Sequence, residues 1–179
     1  MMNRKNLILL GALVVALLVA YRLSTGPTSS EMRQQSQRAL PELKPENIGT
    51  VAIRTENGTI RCQRTKEDER LWHITKPLHL RADPQKMDGL LQRFATAKKE
   101  GTVLPDRGGS LNLQEYGLQQ PDRSVAFKEF GPNGRTWTVL LGKDSGISDT
   151  VWARLEGNPG VFTLPEKVAT KADVTLAGL

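Results

Sequence analysis

Cysteine is nearly missing from this chain: Cys62 is the only one in 179 residues. An intramolecular disulfide is excluded, although an oxidising compartment is not, since exported domains often carry no bridges. Histidine is also scarce, with His73 and His79 alone. No C-x-x-C, H-x-x-x-H or H-E-x-x-H spacing occurs, so a metal centre has no motif to stand on. There is no G-x-S-x-G elbow around Ser145 or Ser148. The "RGGS" stretch at 107–110 lacks the Lys-Ser/Thr of a phosphate-binding loop and reads as a connector. Glu129, Asp144, Asp149 and Glu156 fall at strand ends and turns, where charge is expected anyway, and nothing marks two of them as an acid–base pair. No cofactor and no catalytic residue is assigned, and the chain reads as non-enzymatic.

Charge of one sign is not concentrated either. The net charge is +6, but Arg4, Lys5 and Arg22 flank a single apolar segment. Without those three, 22 of the 25 basic residues stand against 19 acidic ones. That is a mildly basic surface and no nucleic-acid footprint. Aromatics make up only 5%. Trp72, Trp137 and Trp152 each lie in a strand-like run and read as core anchors before carbohydrate platforms. Cys62 shares a strand face with Ile60 and reads as a small buried hydrophobe rather than a reactive thiol.

One long hydrophobic run is present. Leu7 to Tyr21 is uncharged and almost wholly apolar, with Arg4 and Lys5 before it and Arg22 after it. It is short for a span, but adding Leu23 and letting Arg22 reach the interface brings it close to the ~17–25 residues required. No clean A-x-A cleavage site follows, and no cysteine follows to carry a lipid. Residues 1–23 are therefore expected to be an uncleaved N-terminal membrane anchor, N-in, with the rest of the chain on the extracytoplasmic side. Residues 24–39 are rich in Ser, Thr and Gln without an apolar period and are expected to be a flexible tether. Residues 40–179 are expected to be one domain.

Within that domain, "TVAIRTENGTIRCQRT" alternates around Asn57-Gly58, which predicts a hairpin with a type I′ turn. Val51 and Ile53 are expected on one face, Arg54 and Glu56 on the other. "RLWHIT" adds a strand. Asp83 is an N-cap and Pro84 a first helical residue. Met87, Leu90, Leu91, Phe94 and Ala95 form one apolar stripe, with Gly101 as the C-terminal cap. The second half repeats the pattern with "RSVAFKEF", "RTWTVLLG", "TVWARLEG" and "GVFTL", then a closing helix from Pro165. The fold class expected is α+β: an antiparallel sheet in two strand-hairpin-plus-helix halves, helices packed on one side, preceded by an N-terminal transmembrane helix.

Between the halves, "SLNLQEYGLQQP" poses a choice. Glu115 and Tyr116 could be an acid–base pair, or the stretch could be a joint. Ser110 can cap a short helical piece, Gly117 fits the left-handed position of a Schellman cap, and Leu118 would then meet Leu113. Pro121 stops the helix from resuming. The joint is the better reading.

The succession "LWHITKP", "ADPQKMDGLLQRF", "LQEYGLQQP", "TVLLGK", "VWARLEG" and "VFTL" resembles the bacterial domain-of-unknown-function family 4340, with Trp152 where that family usually has tyrosine. The resemblance implies a membrane anchor, an extracytoplasmic α+β domain and genomic company with ABC-type transporter components. It brings no catalytic residues. The function expected is a non-catalytic envelope protein in the inner membrane, its outer domain facing the periplasm and binding envelope or transporter proteins. The alternatives are an envelope glycan- or peptidoglycan-binding module and, less favoured, a hydrolase.

Overall fold

A computed structural model describes residues 36–106, 109–147 and 149–169. The unit Gln37–Leu179 holds every element named below. The predicted anchor, residues 1–23, lies outside the described residues, as does the tether up to residue 35. Among the described residues, no helix is long and apolar enough to cross a membrane.

Alternation dictates the strands. In β1 (Ile48–Thr55), Val51 and Ile53 are buried while Thr50, Ala52 and Arg54 are not. β2 (Gly58–Gln63), β3 (His73–Lys76) and the two-residue β4 (Leu80–Arg81) follow. After α1 (Pro84–Thr96) come β5 (Gly101–Val103), β6 (Arg123–Glu129), β7 (Thr136–Asp144), β8 (Thr150–Leu155), β9 (Val161–Pro165) and α2 (Glu166–Ala169). A single 3₁₀ turn, Pro45–Asn47, precedes β1.

The strands do not form the expected two-halved α+β arrangement. They form one nine-stranded sheet in the order β4-β3-β2-β1-β6-β7-β8-β9-β5. Every pairing is antiparallel. The two meanders merge because β1 pairs directly with β6, Val51 opposite Phe127 and Ile53 opposite Val125. A shared sheet buries both apolar faces in one core and leaves no free edge at the seam. Helix is the minor partner: α1 has 13 residues and α2 only four.

α1 follows β4 at one edge of the sheet and precedes β5 at the other. It thus serves both meanders rather than one. Its stripe Met87, Leu90, Leu91, Phe94 and Ala95 is buried, and Phe94 meets Phe127 with ring centroids 5.0 Å apart and planes tilted 56°. Asp83 Oδ1 accepts from the N–H of Gln85 at 2.9 Å and of Lys86 at 3.4 Å, and Pro84 occupies the first turn. The helix ends at Thr96, with Ala97 extended. Gly101 is no cap: it opens β5 opposite Thr163.

The first hairpin also differs from expectation. Thr55 pairs with Gly58, so the turn residues are Glu56 and Asn57. A type I′ turn needs φ > 0 at both central residues. Asn57 does not have it; Gly58, at φ 126°, does. Glu56 is consequently a turn residue and not the outward partner of Arg54.

Candidate functional site

The sheet has two unlike faces. The inner one packs on α1 through Val51, Ile53, Ile74, Val125, Phe127, Val139, Leu141, Ala153 and Leu164, all buried. Cys62 belongs there, opposite Val51. Burial pushes its thiol up from 9.0 to about 11. It is a neutral hydrophobe at neutral pH, and the reactive-thiol alternative falls away.

Register assembles the outer face. One row runs Arg81–His73–Gln63–Thr50–Lys128–Thr136 across β4 to β7. A second runs Lys76–Arg61–Ala52–Ala126–Thr138. A third runs Thr59–Arg54–Ser124–Leu140–Arg154. None of these residues is buried by the described chain. The first row opens into a concavity of about 390 Å³, whose walls include Thr50, Gln63, His73, Lys128, Glu129 and Phe130.

Arg64 also lines that concavity. Its guanidinium lies 4.8 Å from the Trp72 ring centroid and 5.6 Å from that of Phe130. It donates to the carbonyl oxygens of Ile48 at 2.7 Å, Glu69 at 2.9 Å and Pro45. Burial lowers its pKa from the ordinary guanidinium value, opposed by Asp88, Glu69 and Glu46. An arginine stays charged under such a shift. Arg64 is a structural clamp, joining the chain before β1 to the ends of β1 and β6.

The far end of the outer face is covered by residues 112–121. Asn112, not Ser110, starts this turn: its Oδ1 accepts the N–H of Gln114. Gly117 adopts φ 68°. Its N–H donates to Gln114 O at 3.1 Å, and that of Leu118 donates to Leu113 O at 2.8 Å, the pair of bonds that defines a Schellman closure. The buried Leu118 side chain lies over Gly142. A Cβ on Gly142 would come within 2.1 Å of Tyr116 O, and one on Gly117 within 2.9 Å of Lys143 N. The Tyr-Gly-Leu and Leu-Gly motifs therefore fit against each other, and both glycines are needed for contact. Lys143 N–H donates to Tyr116 O at 3.2 Å, and Pro121 O accepts from Arg54 at 2.7 Å.

These contacts give the motif residues structural roles. Tyr116 sets its ring edge-on to Trp152, centroids 4.7 Å apart, while Glu115 accepts from Asn112 Nδ2 at 3.1 Å. The two side chains are spent on different neighbours. Glu129 and Asp144 accept backbone N–H groups of their own turns, and Ser145 shares a hydrogen bond with Thr150. Ser148 lies outside the described residues. Among those described, no group of three His, Cys, Asp or Glu could hold a metal ion. The tryptophans divide between faces: Trp72 is 0% exposed, Trp137 packs on the inner core and Trp152 points outward. They form no common platform.

The model of the family described as "Domain of unknown function (DUF4340)" matches residues 72–178. The chain belongs to this family. The matched span contains α1, the Tyr-Gly-Leu turn and Gly142, and begins after β1 and β2. No curated protein and no solved structure matches the chain. The cationic rows draw on both sides of the family boundary: Arg54 and Arg61 precede it, Lys128 and Arg154 lie within it.

Proposed function

We propose that this chain is a non-catalytic envelope protein, held in the inner membrane by residues 1–23, whose domain binds another protein on the extracytoplasmic side. A component of an ABC-type transporter complex is the partner class in view. The supporting observation is the outer sheet face. Folding buries the inner positions Val51, Ile53, Cys62, Val125, Phe127, Val139 and Leu141, while the outer parity of the same strands stays accessible from Gln63 across to Thr138. With small residues at its centre and long polar ones around it, this face leaves room for a partner's backbone to lie close against the sheet. The carboxylates of Glu115, Glu129 and Asp144 are engaged in hydrogen bonds of their own turns. The glycan-binding alternative lacks a shared aromatic platform, since Trp72 and Trp137 face the core.

Chemical crosslinking of the tagged full chain in native membranes tests this reading. A discrete, reproducible adduct with one membrane or envelope protein is expected. Recovery of none, across several crosslinker lengths, contradicts it. A C-terminal alkaline phosphatase fusion should be active, and an inactive fusion would overturn the orientation.

A further inference from the structure

We infer that the outer sheet face is a docking surface for an acidic polypeptide segment of the partner, lying across β2, β1 and β6. This rests on the reading that the domain binds a protein. Charge is sorted by strand parity. Within the rows described above, the charged outward positions are Arg81, Lys76, Arg61, Arg54, Lys128 and Arg154, and among the described residues no aspartate or glutamate shares them. Acidic residues number 19 in the chain, yet among the described residues lining the concavity the one carboxylate is Glu129, which accepts the Arg135 N–H, so the positive sign of this face is a property of the fold and not of composition.

Two of these cations are tethered, Arg54 to Pro121 O and Arg154 to Asn158 O. Arg61, Lys76, Arg81 and Lys128 are exposed. Arg61 pairs with Lys76 beside a register shift in the β2–β3 ladder. Like charges at opposed positions of an antiparallel pair destabilise the sheet. The free domain thus carries a repulsion that an anionic partner relieves. The middle of the face is low: Ala52, Ala126 and Thr138 are neighbours in one row. A polypeptide backbone can approach closely there while its carboxylates reach the cations around it. Such charge complementarity accelerates encounter and fixes register. A single-stranded nucleic acid would want open aromatic faces on which bases stack, and Trp152, the outward tryptophan, is occupied by Tyr116.

The test uses the full chain in neutral detergent micelles at low salt, titrated with fluorescent poly-L-glutamate and, separately, inorganic polyphosphate of matched charge. Arg61→Glu with Lys128→Glu alters the outer face. Lys86→Glu with Arg93→Glu makes the same net change on the exposed side of α1. The outer pair is expected to weaken polyglutamate binding about tenfold or more, and the helix pair less than about threefold. Should the outer double reversal not fold, Arg61→Gln with Lys128→Gln is read in the same titration, with about a threefold loss expected. Equal losses from the outer and helix pairs reduce the effect to net charge and overturn the proposal. Tighter binding of polyphosphate than of polyglutamate, or no binding of either, also overturns it. If membrane crosslinking still recovers a protein partner in that case, protein binding stands and only this surface is wrong.

Discussion

The inner and outer faces of the sheet are written in the same strands, one residue apart, and they obey different rules. On the inner parity β6 carries Val125 and Phe127, both 0% exposed; on the outer it carries Ser124, Ala126 and Lys128. The inner face is chosen for volume, because each methylene there touches others and leaves a cavity when removed. The outer face is chosen for height and sign: short side chains in the middle, cations around them, and in the concavity a single carboxylate among the described residues, Glu129. Stability explains the first set. It does not explain the second, since paired Arg61 and Lys76 work against the fold. That residue of unexplained sequence is what points to a partner.

Breaking the inner face should have the largest effect. Phe127→Ala removes a ring that packs on Phe94 and is expected to cost about 3–5 kcal/mol in a urea titration. Arg64→Ala comes next. It leaves carbonyl groups of Ile48, Pro45 and Glu69 without their donor and uncovers two rings, for about 2–4 kcal/mol by the same measurement. The covered end of the outer face is intermediate. Gly142→Ala forces the Tyr116 turn off the sheet and should cost about 1–3 kcal/mol. Gly117→Ala meets both a positive φ and the Lys143 backbone, and about 1–2 kcal/mol is expected.

A pH scan sharpens the inner side further. The folded Cys62 pKa, pushed up to about 11, lies above its ordinary 9.0. A raised pKa means that the folded state holds the proton longer than the unfolded one, so its contribution is intact below pH 9.0 and is lost as pH rises toward 11. Cys62→Ala should abolish that part of the alkaline decline, seen as a shallower fall in Tm over this range than in the parent. The smallest effect belongs to the open outer face. Arg61→Thr should leave stability within about 0.5 kcal/mol, on the stabilising side, because it relieves the repulsion by Lys76. A loss of several kcal/mol there would erase the distinction between faces.

What could be read from sequence was local. Asp83, Pro84 and the five-residue stripe define α1 without help from elsewhere, and the Gly117 closure is encoded within six residues. What escaped was long-range. Pairing of β1 with β6 joins positions about seventy residues apart, Arg54 with Ser124 for example, and no local pattern announces it. β4 and β5 have two and three residues, too few to show a period, and exist because β3 and β9 offer them edges. The outer cationic face was half legible: each cation sits at the polar parity of its own strand, but only the register places Arg61, Lys128 and Arg154 on one surface. The hairpin turn was misplaced by one residue because Asn-Gly suits two turn geometries, and the pairing of Thr55 with Gly58 selects between them.

The most direct measurement is site-specific photocrosslinking of the full chain in its native membrane. A photoreactive residue replaces Gln63 on the outer face in one protein and Gln92 on the exposed side of α1 in another, both positions being solvent-accessible. A discrete protein adduct is expected from position 63 and none from position 92. Adducts from position 92 alone, or the same adducts from both, would contradict docking on the outer face.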